Sequence, residues 1–159
     1  MLNSLYGIKE NIIRPALQSA NLWSEESEML IYGTGVVESG YRTFVQDRGP
    51  ALGYFQIEPQ THLFLKDYLK QPKNIKIKVD ILNACGLSNL PEDEQLIYNL
   101  RYSALMVRVR YLNAPPCIPF WNDAVGMAEY HAKWYNRGGK ADVAQNTIIF
   151  KQLIDGVKK

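Results

Sequence analysis

The sequence predicts an α+β domain that is mainly α-helical and carries one small β-hairpin. Apolar residues recur at helical spacing along most of the chain, and residues that start and stop helices separate the runs. A single stretch, from Thr43 to Ile57, instead combines β-branched and aromatic residues with a polar turn. The chain has 159 residues, 47% hydrophobic and 21% charged. That length and composition fit one domain, 1–159, able to bury a core of its own, and exclude wholesale disorder.

The elements follow in order. Ile12, Ile13, Leu17 and Leu22 mark a first helix, with Pro15 at a kink or at the start of its second half, so 1–23 is an N-terminal helical extension. Ser24 reads as an N-cap, and Glu25, Glu26 and Glu28 favour the positive end of the next helix dipole. From Met29 to Val37 that helix is almost entirely apolar or glycine, the mark of a buried helix, and Gly33 and Gly35 let a neighbour approach closely. It ends at Glu38-Ser39-Gly40. Thr43, Phe44 and Val45, the turn Asp47-Arg48-Gly49-Pro50, then Tyr54, Phe55 and Ile57 make the hairpin. A helix over Thr61 to Leu69 follows, then a Lys-rich loop over Gln71 to Lys78 and a helix over Val79 to Ala84. Pro91 with Glu92, Asp93 and Glu94 opens a long helix that Asn113-Ala114-Pro115-Pro116 stops after Leu112. Asp123 caps a helix to Trp134 that Gly138-Gly139 ends, and Asp142 caps a last one to Ile154.

A net charge of +2 suits an anionic polymer but is too weak to indicate nucleic acid. Arg101, Arg108 and Arg110 read as one basic face of the long helix, solvated or paired with nearby acids. Cys85 and Cys117 belong to no CxxC or CxxH pair and read as reduced, buried, small apolar residues, with a single disulfide as the alternative. Two histidines and two scattered cysteines give no metal-ligand spacing, and no phosphate loop or nucleophile elbow is present. Neither metal nor cofactor is therefore expected. No window approaches the ~20 apolar residues of a membrane span, and Met1 to Asn11 is polar and mixed rather than signal-like.

Glu38 stands where a buried apolar helix ends against a turn-rich hairpin. Partial burial and the negative end of a helix both favour a carboxyl in its neutral, protonated form. A carboxylic acid that keeps its proton near neutral pH is what glycosidic cleavage requires, because the leaving oxygen must be protonated as the bond breaks.

The run Gly33-Thr34-Gly35-Val36-Val37-Glu38-Ser39-Gly40-Tyr41, followed by Gly49-Pro50-Ala51-Leu52-Gly53-Tyr54-Phe55-Gln56-Ile57-Glu58-Pro59-Gln60-Thr61, resembles the soluble lytic transglycosylase and goose-type lysozyme superfamily. There a helix ending in Glu-Ser-Gly precedes a variable hairpin and then Gly-Ala-x-Gly-Leu-Met-Gln-Ile-x-Pro-x-Thr; here Tyr54 and Phe55 replace Leu-Met. The family's Ala-Tyr-Asn-x-Gly block has a counterpart in Trp134-Tyr135-Asn136-Arg137-Gly138. The three blocks lie in order within 28–140, and the wider string also looks like phage proteins with a lysozyme-like domain. The family's middle block, Asn-Ile-x-x-Gly-x-x-Tyr-Leu, survives mainly as Tyr111-Leu112, with Ala104 and Arg108 at the Asn and Gly positions.

The resemblance implies a lysozyme-like fold and a peptidoglycan-cleaving glycosidase, lytic transglycosylase or muramidase. It would cut the β-1,4 MurNAc–GlcNAc bond with Glu38 as general acid. Ser39 would orient Glu38 or the sugar's acetamido group, Gln56 would bind a sugar from the hairpin side, and Tyr54 and Phe55 would line the cleft floor or core, Phe55 the core. Tyr135 and Asn136 would face Glu38 across the cleft, and His62 could approach it. His131 reads instead as a core or surface histidine. Asp47 or Glu58 could supply a second carboxylate that activates water. The partner implied is bacterial peptidoglycan, met by a monomeric phage endolysin or virion lysin, with no nucleic acid and no stable membrane insertion. Such a protein is made in the host cytoplasm and reaches the wall through a holin-type pore or within a virion. The altered middle block leaves open a non-catalytic virion or ejection protein with the same fold.

Overall fold

The computed structural model of the chain describes residues 2–136 and 141–157, with side chains from residue 5 onward. The protein is mainly helical. Along 2–19, α1 (Leu2–Ile8), a π-helical turn (Lys9–Ile13) and α2 (Arg14–Ser19) follow without a break, so the first helix begins ten residues before Ile12. Pro15 lies in the first turn of α2, where its missing N–H costs least.

The chain then enters α3 (Glu25–Ser39) through the expected cap. Ser24 Oγ accepts from the Ser27 N–H at 3.1 Å, and Ser27 Oγ accepts from the Ser24 N–H at 2.9 Å. Residues Ser27 through Gly35 of α3 are buried without interruption, as its apolar sequence requires. Gly33 and Gly35 do admit neighbours. A Cβ on Gly33 would lie 2.0 Å from the ring of Phe150, and one on Gly35 2.2 Å from the ring of Tyr41. Gly40, in the left-handed region at φ +60°, closes α3.

Glu28 does more than face the helix dipole. It is buried beside Lys9 (2.9 Å) and Arg14 (2.7 and 2.8 Å), and Trp23 Nε1 donates to it at 2.6 Å. The π-helical turn thus carries a buried lysine onto a buried glutamate, joining the N-terminal extension to α3.

The expected hairpin forms no regular strands. Two isolated antiparallel bridges, Val45 with Leu52 and Leu52 with Ile57, fold 44–57 into a tight double turn. Gly53 donates to the Phe44 carbonyl at 2.7 Å, and Leu52 and Ile57 exchange backbone hydrogen bonds at 3.0 Å. Leu52 belongs to both bridges, which leaves too few consecutive pairs for a ladder. Gly53, at φ +70°, packs so closely on the backbone of Leu96 that a Cβ would meet its carbonyl oxygen at 2.0 Å.

Beyond the double turn run α4 (Pro59–Lys70), a 3-10 turn (Pro72–Asn74) and α5 (Ile75–Cys85). Ile75 to Lys78, half of the expected Lys-rich loop, therefore belong to α5. The long helix expected from Pro91 is two helices, α6 (Gln95–Tyr98) and α7 (Leu100–Leu112). Asn99 divides them. Its side chain accepts from the Tyr102 N–H at 3.1 Å, so it caps a new helix rather than continuing the old one. α8 (Ala124–Trp134) starts at Asp123 as expected, and α9 (Val143–Val157) lies against α8 and α3. Gly138 and Gly139, expected to end α8, lie outside the described residues. Buried apolar residues from Ile13 to Ile154 form one cluster with α3 and α7 at its centre.

The arginines of α7 share no solvated face. Arg101 is exposed, Arg108 is half-buried with Nε donating to the Leu22 carbonyl at 3.2 Å, and Arg110 turns toward the double turn. Burial holds the Arg108 guanidinium below its ordinary pKa. Cys85 and Cys117 are unpaired, so the disulfide alternative falls. Cys85 is partly buried and its thiol is pushed up to about 11 by burial, whereas Cys117 is exposed, not buried. Among the described residues no helix is long and apolar enough to cross a membrane, and no three His, Cys, Asp or Glu cluster as a metal site would need.

Candidate active site

Glu38 is the next-to-last residue of α3. The stretch of α3 from Ser27 to Gly35 is buried, so the helix delivers the carboxyl from the edge of the core. Tyr41 fixes the turn that follows. It sits at φ +54°, packs its ring over Gly35 and donates its hydroxyl to the Tyr32 carbonyl at 2.9 Å. Ser39 Oγ then donates to the Tyr54 carbonyl at 2.6 Å and accepts from the Tyr41 N–H at 3.1 Å. Ser39 therefore staples the end of α3 to the double turn and is not bonded to Glu38.

Between the end of α3, the double turn and the end of α8 lies a polar cleft of about 310 Å³. Glu38, Gln56, Glu58, Arg110, Tyr135 and Asn136 are in its wall. Gln56 adopts φ +50°, a left-handed conformation that a non-glycine residue holds only under tertiary constraint. Its amide nitrogen donates within the double turn, to the Gly53 carbonyl at 2.9 Å and the Thr43 carbonyl at 3.5 Å. Among the described residues its amide oxygen meets no donor. Tyr135 is buried, and its hydroxyl donates to the Phe55 carbonyl at 2.6 Å, bracing α8 against the double turn. Burial first, and then the nearby Glu38 carboxylate, hold that hydroxyl well above the ordinary tyrosine range, so it remains a donor.

Four of the residues expected at the site thus meet there: Glu38, Gln56, Tyr135 and Asn136. Glu58, weighed as a second carboxylate, joins them from the N-cap of α4. The others do not. Asp47 is exposed in its turn and outside the cleft wall, because Asp47-Arg48-Gly49-Pro50 points the loop tip into solvent. Tyr54 is outside the cleft wall: it stacks on Phe44 with ring centroids 4.6 Å apart, meets the buried Tyr41 ring edge-on at 5.6 Å, and packs against the core, the other place expected for it. His62 is fully buried, its Nδ1 at 2.6 Å from Asp93 and its Nε2 at 2.7 Å from the Tyr102 hydroxyl. Burial, partly offset by Asp93, lowers its pKa. His62 is a hub joining α4, α7 and the segment before α6.

Two site residues were not assigned there from the sequence. His131, read as a core or surface histidine, is fully buried and places Nε2 2.8 Å from Glu38 Oε1. Its position four residues before Tyr135, on the same helix face, was the available signal. The rings of His131 and Tyr135 stack at 5.5 Å. Arg110, next to Tyr111-Leu112, lays its guanidinium over the Tyr135 ring at 4.8 Å and donates to the Tyr135 carbonyl. Beneath the cleft, Thr34 donates to the Leu30 carbonyl at 2.8 Å and so must accept from the Tyr111 hydroxyl at 2.7 Å, tying α7 to α3.

Chemically, the arrangement offers one part-exposed carboxyl held by an imidazole, an amide oxygen, a second carboxylate and a guanidinium around a polar space. No protein-family model, curated protein or solved structure matches the chain.

Proposed function

We propose that the chain is a peptidoglycan-cleaving glycosidase with a lysozyme-like fold, in which Glu38 is the general acid. The observation that carries this reading is the convergence of Glu38, Gln56 and Tyr135-Asn136 on one cleft. These residues come from three separated blocks of sequence, and the resemblance assigns all three to one glycan site. The Glu38 side chain is 18% exposed, enough to meet a substrate while the protein covers most of it.

In this mechanism Glu38 protonates the glycosidic oxygen as the bond to C1 breaks. The sugar's own 2-acetamido oxygen supports the positive charge at C1. The Glu38 carboxylate then takes the proton of the C6 hydroxyl, whose oxygen bonds to C1 and leaves a 1,6-anhydro end. The mechanism asks nothing of Asp47, which is not among the residues lining the cleft. Glu58 does line the cleft, which favours one alternative: a hydrolase in which Glu58 activates water and the products carry reducing ends.

Turbidity of purified cell walls tests the reading. Wild type is expected to clear them, and Glu38→Gln to be slower by about 100-fold or more, the usual worth of a general acid. A folded wild type that never clears walls would leave the non-catalytic virion role standing.

A further inference from the structure

Wherever a carboxylic acid transfers a proton, one of its two oxygens must hold that proton and point it at the substrate. Glu38 has asymmetric surroundings. Oε1 lies 2.8 Å from His131 Nε2, whereas Oε2 has no partner among the described residues and is not buried. His131 cannot swing away. Its ring is 0% exposed, stacked on Tyr135, and set in α8, which Tyr135 ties to the double turn.

The other ring nitrogen decides the tautomer. His131 Nδ1 is buried and has no partner among the described residues. A neutral imidazole has one N–H and one lone pair. With the hydrogen on Nε2, it bonds Oε1 and only a lone pair is left unmatched at Nδ1. With the hydrogen on Nδ1, or on both nitrogens, a buried N–H would face nothing, which folded proteins rarely tolerate. A doubly protonated ring would bury a charge as well.

We propose that His131 is a positioning residue that donates from Nε2 to Glu38 Oε1 and thereby makes Oε2 the oxygen that carries the transferred proton. Oε1, occupied as an acceptor from the protein, acts as the carbonyl oxygen of the acid. The proton sits on Oε2, which opens to the cleft. After transfer, the same bond holds the carboxylate in place for the return step. This assignment rests on the glycosidase reading for its catalytic consequence, but the hydrogen-bond direction stands apart from it.

Two measurements on the whole chain test the proposal. Nitrogen-15 NMR of the histidine rings in the wild type is expected to show His131 protonated at Nε2 alone. A resonance pattern for Nδ1–H or for imidazolium would overturn it, whether or not the protein cuts walls. In wall digestion, His131→Leu is expected to lower kcat by about 100-fold with KM nearly unchanged, the scale of a misplaced reacting group. His131→Gln, whose amide nitrogen can take the place of Nε2, should recover most of that loss. If His131→Leu matches wild type, or if folded His131→Gln falls as far as His131→Leu, the positioning role is wrong. Failure of the glycosidase reading itself would appear differently, as an inactive wild type with the NMR tautomer still deciding the bond.

Discussion

At the residue scale, single polar contacts hold the candidate site together. The Tyr135 hydroxyl is buried and is bonded to the Phe55 carbonyl at 2.6 Å. Tyr135→Phe keeps the ring stacked on His131 but leaves that carbonyl without its donor. An unmatched buried acceptor costs about 1–3 kcal/mol, so the unfolding free energy should fall by that much, read as a lower urea midpoint at constant slope. An unchanged midpoint would mean that α8 is braced elsewhere. Asp47 and His62 show why residue type alone does not place a side chain. Asp47 has the turn chemistry that drives it into solvent, while His62 begins a helix whose inner face is core. Both lie within a few residues of cleft-lining positions along the chain. Orientation, not distance along the sequence, separates them from the cleft.

At the element scale, α3 acts as the rail along which Glu38 is delivered. Its two glycines are where other elements press closest. A methyl group at Gly35 would overlap the Tyr41 ring, and Tyr41 is the residue that turns the chain toward the double turn. Gly35→Ala is therefore expected to cost about 1–3 kcal/mol by overpacking, and to lower activity by shifting the double turn. Gly156→Ala in α9 is the control, since nothing lies within 4 Å of the added methyl and helix propensity rises. Equal stability losses in the two variants would contradict the packing account. The elements were legible in the sequence where capping and periodicity agreed: Ser24 to Gly40, and the start of α8 at Asp123. They were misread where one residue had two uses. Asn99 falls inside the expected long helix but is a cap, and the apolar Ile75 and Ile77 were hidden among lysines. The double turn was recognised as a place of β character, but only pairing geometry could reveal that Leu52 bridges both ways.

At the scale of the whole molecule, acid is expected to weaken the fold in two stages. His62 has a lowered pKa when folded, from burial. The unfolded chain therefore binds a proton that the folded one refuses, and stability falls as pH drops through the ordinary histidine range. Glu28 and Glu10 follow. Burial alone would raise their pKa values, but hydrogen bonds from Arg14, Trp23 and Lys9 to Glu28, and from Lys9 and Tyr6 to Glu10, hold them below the usual carboxylate range. Their contribution is present above that range and is lost as pH falls through and below it. Urea unfolding from neutral pH to about pH 3 should show both declines. A flat profile down to pH 5 would remove His62 from the account. Half of the expected site residues share the cleft: Glu38, Gln56, Tyr135 and Asn136, which come from the three separated blocks. His131 escaped notice because a histidine four residues before Tyr135 acquires meaning only once α8 lies against the end of α3. The central claim, that Glu38 cleaves glycan strands by acid catalysis, is tested most directly by mass spectrometry of peptidoglycan digested with wild type and with Glu38→Gln. The account predicts anhydro-ended disaccharide-peptides from wild type and none above background from the variant. Folded wild type that releases no glycan fragments, or Glu38→Gln that releases as many, would contradict it.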